Sequence, residues 1–312
     1  MLKYVVSIFI LIIILLQMDF VVLQKQLQSI DSWGFGLALL AILCQIFFLN
    51  MRWHSFLLIS NNKISFKTSS FINIAGYFAN VLFITSVGGI IAKSSLAVRH
   101  GLSITQAIFT TLLDRFMTLA ALIVFSVFGL QFLGHVLDQK LLSILSLTTL
   151  GVVAVVISSL LVLRSGMFKG FILSSQKRSR FIVLLRMHME NYPLMFKTVC
   201  YSLIAQGCFI LSVYILFLGI DADMHIKTLE FLALLPVLAL ISALPISFGG
   251  WGVREGAFIY GLSLVGFSME SAFLLSVQVG VVTLIAPFLF GLPYLLQSDF
   301  KAFLLGNDKI PV

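Results

Sequence analysis

The chain has 312 residues, of which 60% are hydrophobic and only 10% are charged, and its mean hydropathy is +1.11. Soluble domains carry roughly 25% charged residues, so this composition excludes an ordinary soluble protein and predicts an integral membrane protein. The net charge of +8 indicates membrane topology and contact with anionic membrane lipids, and we expect no nucleic-acid partner.

Six apolar stretches are long enough to cross a membrane as helices, since a crossing of ~30 Å of hydrocarbon takes about 20 residues. In chain order these stretches are 4–23, 33–51, 104–133, 141–163, 198–219 and 271–297. Two further stretches, 69–92 and 229–266, are also apolar but are interrupted by glycines, polar residues and charges. The sequence therefore predicts an all-α polytopic membrane protein with two irregular segments.

The basic residues predict how these segments are oriented. The stretch 164–197 holds seven Lys or Arg and one acidic residue, which makes it a cytoplasmic loop by the positive-inside rule. The basic stretch 52–67 is also predicted to be cytoplasmic, whereas 138–140 is predicted to lie outside. Because an odd number of crossings must connect these two, we predict that 69–92 re-enters and returns to the cytoplasmic side. By the same reasoning 229–266 enters from outside, and both chain termini are cytoplasmic.

Two short motifs occur twice in the same order. The pattern S-x-G-G-x-x-x-[K/R] appears at Ser86–Lys93 and at Ser247–Arg254, and G-x-S-x-x-x-A follows at Gly101–Ala107 and at Gly266–Ala272. From the second glycine of each pair, the later motif begins after 12 residues in one copy and after 16 in the other. The two gaps differ by close to one helical turn. The order and spacing indicate an internal repeat.

The repeat predicts one transmembrane domain, 1–312, built from two halves, 1–133 and 141–297, that are related by inversion. Each half then holds three crossing helices and one broken re-entrant hairpin, an arrangement that recurs in transporters. Irregular backbone at membrane depth occurs only inside protein or beside a water-filled cavity. The alternative is eight or nine full spans, because both irregular segments are long enough to cross.

The glycine pairs are predicted to begin half-helices within the membrane. Gly88–Gly89 and Gly249–Gly250 let the backbone turn, and a helix N-terminus presents N–H groups that attract anions. Arg254, one turn further on, suits bidentate binding of a phosphate, and Lys93 offers a point charge at the matching place. Structural support for the two breaks is expected from Asn80, Pro245 and Gly252.

Two charged doublets, Asp114–Arg115 and Arg254–Glu255, lie within apolar segments. An ionisable group inside a membrane requires a partner, and neighbouring residues of a helix do not face each other. We therefore predict that Asp114 pairs with Arg254 and that Glu255 pairs with Arg115, which links the two halves at the substrate-binding site. Asp114 and Glu255 are also the candidate proton carriers.

The remaining polar residues are given no role in the chemistry. Arg52 with Trp53 is predicted to anchor the second helix at the cytoplasmic interface. Asp221, Asp223 and His225 are spaced like a metal motif, but in a short outer loop we expect them to be solvated. We predict neither a metal nor a cofactor.

The string from Pro245 to Glu255, P-x-S-x-G-G-x-G-x-R-E, resembles the flippase-like family formed by the transmembrane region of lysylphosphatidylglycerol synthase. The first half is similar to the same family at Gly88–Gly89, Lys93, Gly101–Ser103, Ala107 and Asp114–Arg115. The resemblance implies translocation of lipid between leaflets, or handling of a lipid-linked intermediate. The sequence holds no stretch for the soluble aminoacyltransferase domain of the full synthases, so we expect no enzymatic activity.

We therefore expect a multi-pass lipid transporter of the cell membrane that holds an anionic phospholipid or a polyprenyl-phosphate-linked lipid by its headgroup. The alternative is a membrane-embedded transferase, or an accessory subunit, that acts on a lipid-linked substrate. Such an enzyme needs a base or nucleophile beside the leaving group, and the 12 acidic residues form no cluster along the chain. The basic loop 164–197 is a candidate docking site for a lipid-modifying enzyme or a glycosyltransferase.

Overall fold

The computed structural model describes thirteen sections of the chain, and all regular structure in them is helical. These residues are 14, 16, 18–28, 31–59, 64–82, 86–134, 138–140, 142–144, 146–147, 150–151, 176–220, 228–243, and 251–291 with the backbone of 292–295. The prediction of an all-α protein is confirmed for these residues. The predicted crossings 4–23 and 141–163 lie largely outside them.

Ten described helices follow one another along the chain. They are α1 (Phe20–Gln28), α2 (Ser32–Ile59), α3 (Phe66–Leu82), α4 (Ser86–Arg99), α5 (Ile104–Leu130), α6 (Gln176–Glu190), α7 (Tyr192–Leu218), α8 (Thr228–Ser242), α9 (Val253–Ser263) and α10 (Met269–Leu295). Four of them, α2, α5, α7 and α10, are long and apolar enough to cross a membrane. A multi-pass membrane protein is the architecture that fits these four helices.

The helices from α2 to α5 and from α7 to α10 repeat one order, which is long, short, short, long. The four short helices have 17, 14, 15 and 11 residues, hence lengths of about 16–25 Å at 1.5 Å per residue, less than the ~30 Å of the hydrocarbon core. In the first group α3 and α4 run antiparallel, because Asn80 contacts Gly89 while Gly76 contacts Lys93. In the second group α8 packs against α9.

The repeated G-x-S-x-x-x-A motif forms the same turn in both places. Gly101 and Gly266 both have φ of +94°, a left-handed conformation that glycine adopts without steric cost. Each ends a short helix in a Schellman motif, in which the next N–H bonds back to the fifth preceding carbonyl. These hydrogen bonds are Leu102 N–H to the Ala97 carbonyl and Phe267 N–H to the Leu262 carbonyl, each 3.1 Å long.

The two groups of helices pack into one another. The long helices α2 and α7 lie side by side, α3 lies against α10, and α8 lies against α5. Glycines allow the last two approaches. A Cβ on Gly129 would lie 2.6 Å from the carbonyl oxygen of Ala233, and a Cβ on Gly291 would lie 2.9 Å from Cζ of Phe78. The first short helix of each group thus covers the last long helix of the other group.

The basic stretch predicted as a loop is helical where the structure describes it. Helix α6 occupies 176–190, and Asn191 caps α7, which begins at Tyr192. His188 docks α6 against α2, because its ring nitrogens lie 2.7 Å from the Leu184 carbonyl and 3.2 Å from the Phe56 carbonyl. Burial lowers the pKa of His188, and this effect exceeds the opposing one of the two carbonyls.

Candidate functional site

A cavity of about 380 Å³ lies among the long and short helices of both groups. Residues of α2, α3, α4, α5, α7, α8, α9 and α10 line it. Its charged lining residues are Arg52, Lys93, Asp114, Arg115 and Arg254. The structure therefore brings together four of the charged residues that the sequence proposed, and adds Arg52.

Asp114 holds two cations from different helices. Its Oδ1 accepts a hydrogen bond from Nε of Arg52 at 2.9 Å and lies 2.7 Å from Nη2 of the same side chain. Its Oδ2 accepts from Nζ of Lys93 at 2.8 Å. All three residues are buried. This arrangement joins α2, α4 and α5 at one carboxylate.

Arg52 is the residue that sequence reasoning placed wrongly. Helix α2 continues to Ile59 instead of ending at residue 51, and Arg52 and Trp53 are 1% and 0% exposed, so both side chains pack inside the protein. The other guanidinium donors of Arg52 bond to the Asp114 carbonyl, Thr118 and Ser202. The signal in the sequence was the apolar periodicity, which continues through Trp53 to Ile59.

Arg254 and Glu255 pair with each other. Nη2 of Arg254 lies 2.6 Å from Oε1 of Glu255 and Nε lies 3.1 Å from it. The guanidinium stacks over Trp251, with Cζ 4.4 Å from the ring centroid. The predicted cross-pairing of Asp114 with Arg254 and of Glu255 with Arg115 is therefore wrong. The arginine side chain is long enough to fold back over the first turn of α9, which the rule for neighbouring helix residues neglects.

A family model described as "Lysylphosphatidylglycerol synthase TM region" matches residues 1–291. The chain belongs to this family. No curated protein matches it. The matched region thus includes both groups of helices up to residue 291 and every described charged residue that lines the cavity.

In this member of the synthase TM family, side chains accept hydrogen bonds from backbone N–H groups near the two irregular segments. Asn80 Oδ1 accepts a hydrogen bond from the N–H of Gly89 at 2.9 Å. At the start of α9, Gly252 has φ of +86° and its N–H bonds to Oε2 of Glu255. The Gly89 N–H is therefore already bonded and is not available to an anion as predicted. Gly88 lies in the first turn of α4.

Three of the predicted residues, Pro245, Gly249 and Gly250, lie outside the described residues. The same holds for Asp221, Asp223 and His225. Helix α9 nevertheless begins directly after this segment, at Val253. Arg254 is therefore in the first turn of a short helix that lines the cavity, whereas Lys93 is in the middle of α4, about two turns from its start.

Two cavity residues keep hydrogen-bond donors without a partner among the described residues. Arg115 lines the cavity and is exposed, one position after Asp114 on α5. Gln206 lines it from α7 and is only 3% exposed, and its Nε2 has no hydrogen-bond partner. Sequence reasoning missed Gln206, although it falls one helical turn after Ser202 in an otherwise apolar span. The site is a cationic cavity with unused donors, which suits an anion.

Proposed function

We propose that this protein binds the anionic headgroup of a lipid in the cavity and carries it between the leaflets while the tails remain in the bilayer. The observation that carries the proposal is the charge of the cavity. Arg52, Lys93, Arg115 and Arg254 line it, whereas Asp114 is its only described acidic lining residue. In a low-dielectric site this excess of cations favours an anion.

We further propose that the two groups of helices are inverted repeats with re-entrant hairpins. The recurring order of helix lengths, the identical turns after α4 and α9, and the reciprocal packing of α3 on α10 and α8 on α5 support this. The N- and C-termini then lie in the cytoplasm. Two halves that pack symmetrically about a polar cavity suit alternating access.

Cysteine labelling tests this topology. Arg99 and Ser268 are both exposed at the ends of the short-helix pairs. In a variant whose three native cysteines are replaced by alanine, Arg99→Cys should react with a membrane-impermeant reagent only from the cytoplasmic side, and Ser268→Cys only from outside. Labelling of both residues from the opposite faces requires full spans and refutes the re-entrant hairpins.

Reconstitution into liposomes tests the transport function. Fluorescent lipids with several headgroups are placed in the bilayer. A membrane-impermeant quencher removes the fluorescence of lipids in the outer leaflet, so the further decrease in fluorescence reports translocation. Arg254→Ala should abolish translocation of anionic lipids. The matched control is Lys140→Ala, which removes an exposed cation that is outside both the cavity and α6. Chemical change of the lipid without translocation would instead indicate a membrane-embedded transferase.

Helix α6 is proposed to lie at the cytoplasmic surface against anionic lipid. Its outward positions combine Arg180 and Arg186 with Phe181, Val183 and Met187, all of which are exposed. A helix with basic and apolar side chains of this kind binds at the headgroup boundary. The same surface is the proposed docking site for a lipid-modifying enzyme or glycosyltransferase.

A further inference from the structure

The described charges of the cavity do not cancel. Arg254 is neutralised by Glu255, at 2.6 Å. Arg52 and Lys93 share the single carboxylate of Asp114, at 2.7 and 2.8 Å. This cluster therefore keeps one positive charge.

Arg115 adds a second uncompensated charge. It lines the cavity and has no ion pair or hydrogen bond among the described residues. Its neighbour Asp114 has no oxygen left for it, because both carboxylate oxygens already accept from Arg52 and Lys93. With one charge from that cluster and one from Arg115, the described residues give the cavity a net charge of about +2, a costly arrangement inside a membrane protein without a counter-ion.

A neutral donor adds to these charges. Gln206 lines the cavity and is only 3% exposed, and its Nε2 has no hydrogen-bond partner. Leaving a buried donor without an acceptor costs free energy that a ligand oxygen can recover.

We propose that the cavity selects a phosphomonoester headgroup, which carries two negative charges, over a phosphodiester headgroup, which carries one. This inference rests on the proposed function and narrows its substrate class. The cluster of Arg52, Lys93 and Asp114 supplies one of the two positive charges that match the headgroup, and Arg115 supplies the other. Gln206 donates a hydrogen bond to a phosphate oxygen. A phosphomonoester has three terminal oxygens and a charge close to −2 above its second pKa of about 6. Phosphatidic acid and a polyprenyl phosphate both present this group.

Lipid binding to the full-length protein in detergent tests the inference at pH 8. Phosphatidic acid, phosphatidylglycerol and phosphatidylcholine with identical acyl chains isolate the headgroup. Hydrogen bonds to charged groups change affinity by about 10- to 100-fold, so phosphatidic acid should bind that much more tightly than phosphatidylglycerol. Equal affinities for these two lipids overturn the inference. Inorganic phosphate is the soluble arm, and binding of phosphate but of neither lipid overturns the assignment to a lipid.

Variants at Arg115 separate a charge match from a structural role. Arg115→Gln should bring the affinity for phosphatidic acid down to that for phosphatidylglycerol, whereas Arg115→Lys should keep the preference. Gln206→Leu should weaken both lipids by a similar factor, and Lys140→Gln, which removes an exposed cation outside the cavity, should change neither. A preference for phosphatidic acid that survives in folded Arg115→Gln refutes the inference.

Failure of this inference differs from failure of the transport function. Translocation of anionic lipids without a preference for the phosphomonoester would refute this inference but not the transport function. Selective binding of phosphatidic acid without any translocation would refute the transport function but not the selectivity of the cavity.

Discussion

Replacing Asp114 by asparagine should destabilise the protein more than any other single loss of charge described above. The change keeps the shape of the side chain but removes the one anion that Arg52 and Lys93 share. Three contacts are affected, at 2.9, 2.7 and 2.8 Å. The hydrogen bond from Arg52 to the Asp114 carbonyl remains.

The magnitude follows from burial. The side chains of Arg52, Lys93 and Asp114 are 1%, 7% and 10% exposed, so water hydrates neither cation well once the carboxylate is lost. Breaking a buried pair by removing one partner costs about 3–5 kcal/mol, most of it the cost of the charge left behind. We expect Asp114→Asn to lower the free energy of unfolding by about this amount.

Unfolding of the purified protein in detergent by heat and by denaturant measures the effect. The double variant Asp114→Asn with Lys93→Met removes one of the stranded cations and should recover part of the lost stability. Glu190→Gln is the matched control, because it breaks an ion pair with Arg186 of 2.6 Å whose side chains are 60% and 71% exposed, and should have almost no effect. The reasoning is refuted if Asp114→Asn is as stable as the parent, or if the double variant is no more stable than Asp114→Asn.

Three further variants or conditions test the packing around the cavity. Gly280→Ala should displace Arg254 and abolish lipid translocation, because the added Cβ would lie 2.7 Å from the guanidinium Cζ, whereas Gly256→Ala meets nothing within 4 Å and should leave translocation intact. Gly89→Ala should lower stability to thermal unfolding by about 1–3 kcal/mol through overpacking, since its Cβ would lie 2.5 Å from a backbone oxygen of α3; a stability equal to that of Gly256→Ala would contradict this. Burial lowers the pKa of His188 below its ordinary 6.5, so its contribution to stability is present above pH 6.5 and is lost as the pH falls through the lowered value; thermal unfolding at pH 5 to 8 should show this loss, and His188→Gln should reduce it.

Much of the fold follows from the sequence because hydrophobic length and turn residues are local signals. The long helices α5, α7 and α10 fall within a few residues of the predicted spans, apart from the extra turns at the start of α7. The motif that begins at Gly101 and at Gly266 occurs twice in the sequence, and both residues have the same φ. A glycine after an apolar helical stretch is a strong C-terminal signal in any fold.

The partners of the charged residues could not be predicted in the same way, because they depend on distances between helices. The sequence indicates that Asp114 needs a cation, but the two cations that contact it, Arg52 and Lys93, are far from it in the chain. Arg52 was overlooked because a 20-residue window ended α2 before it, although the structure extends that helix by two further turns. A charged residue that follows an apolar span looks the same whether the helix ends there or continues into the protein.

The two groups of helices differ in how they neutralise their cations, and this difference bears on how the cavity can change shape. Lys93 is on α4 and its counter-ion is on α5, so any movement of α4 along α5 separates an ion pair of 2.8 Å. Arg254 and Glu255 are both on α9, so this helix can move as a unit without separating its pair. Because separating buried charges costs several kcal/mol, movement of α9 against α10 is less costly than movement of α4 against α5. The Gly280 surface, on which the Arg254 guanidinium rests, is therefore the place where a change in α9 most directly alters the cavity.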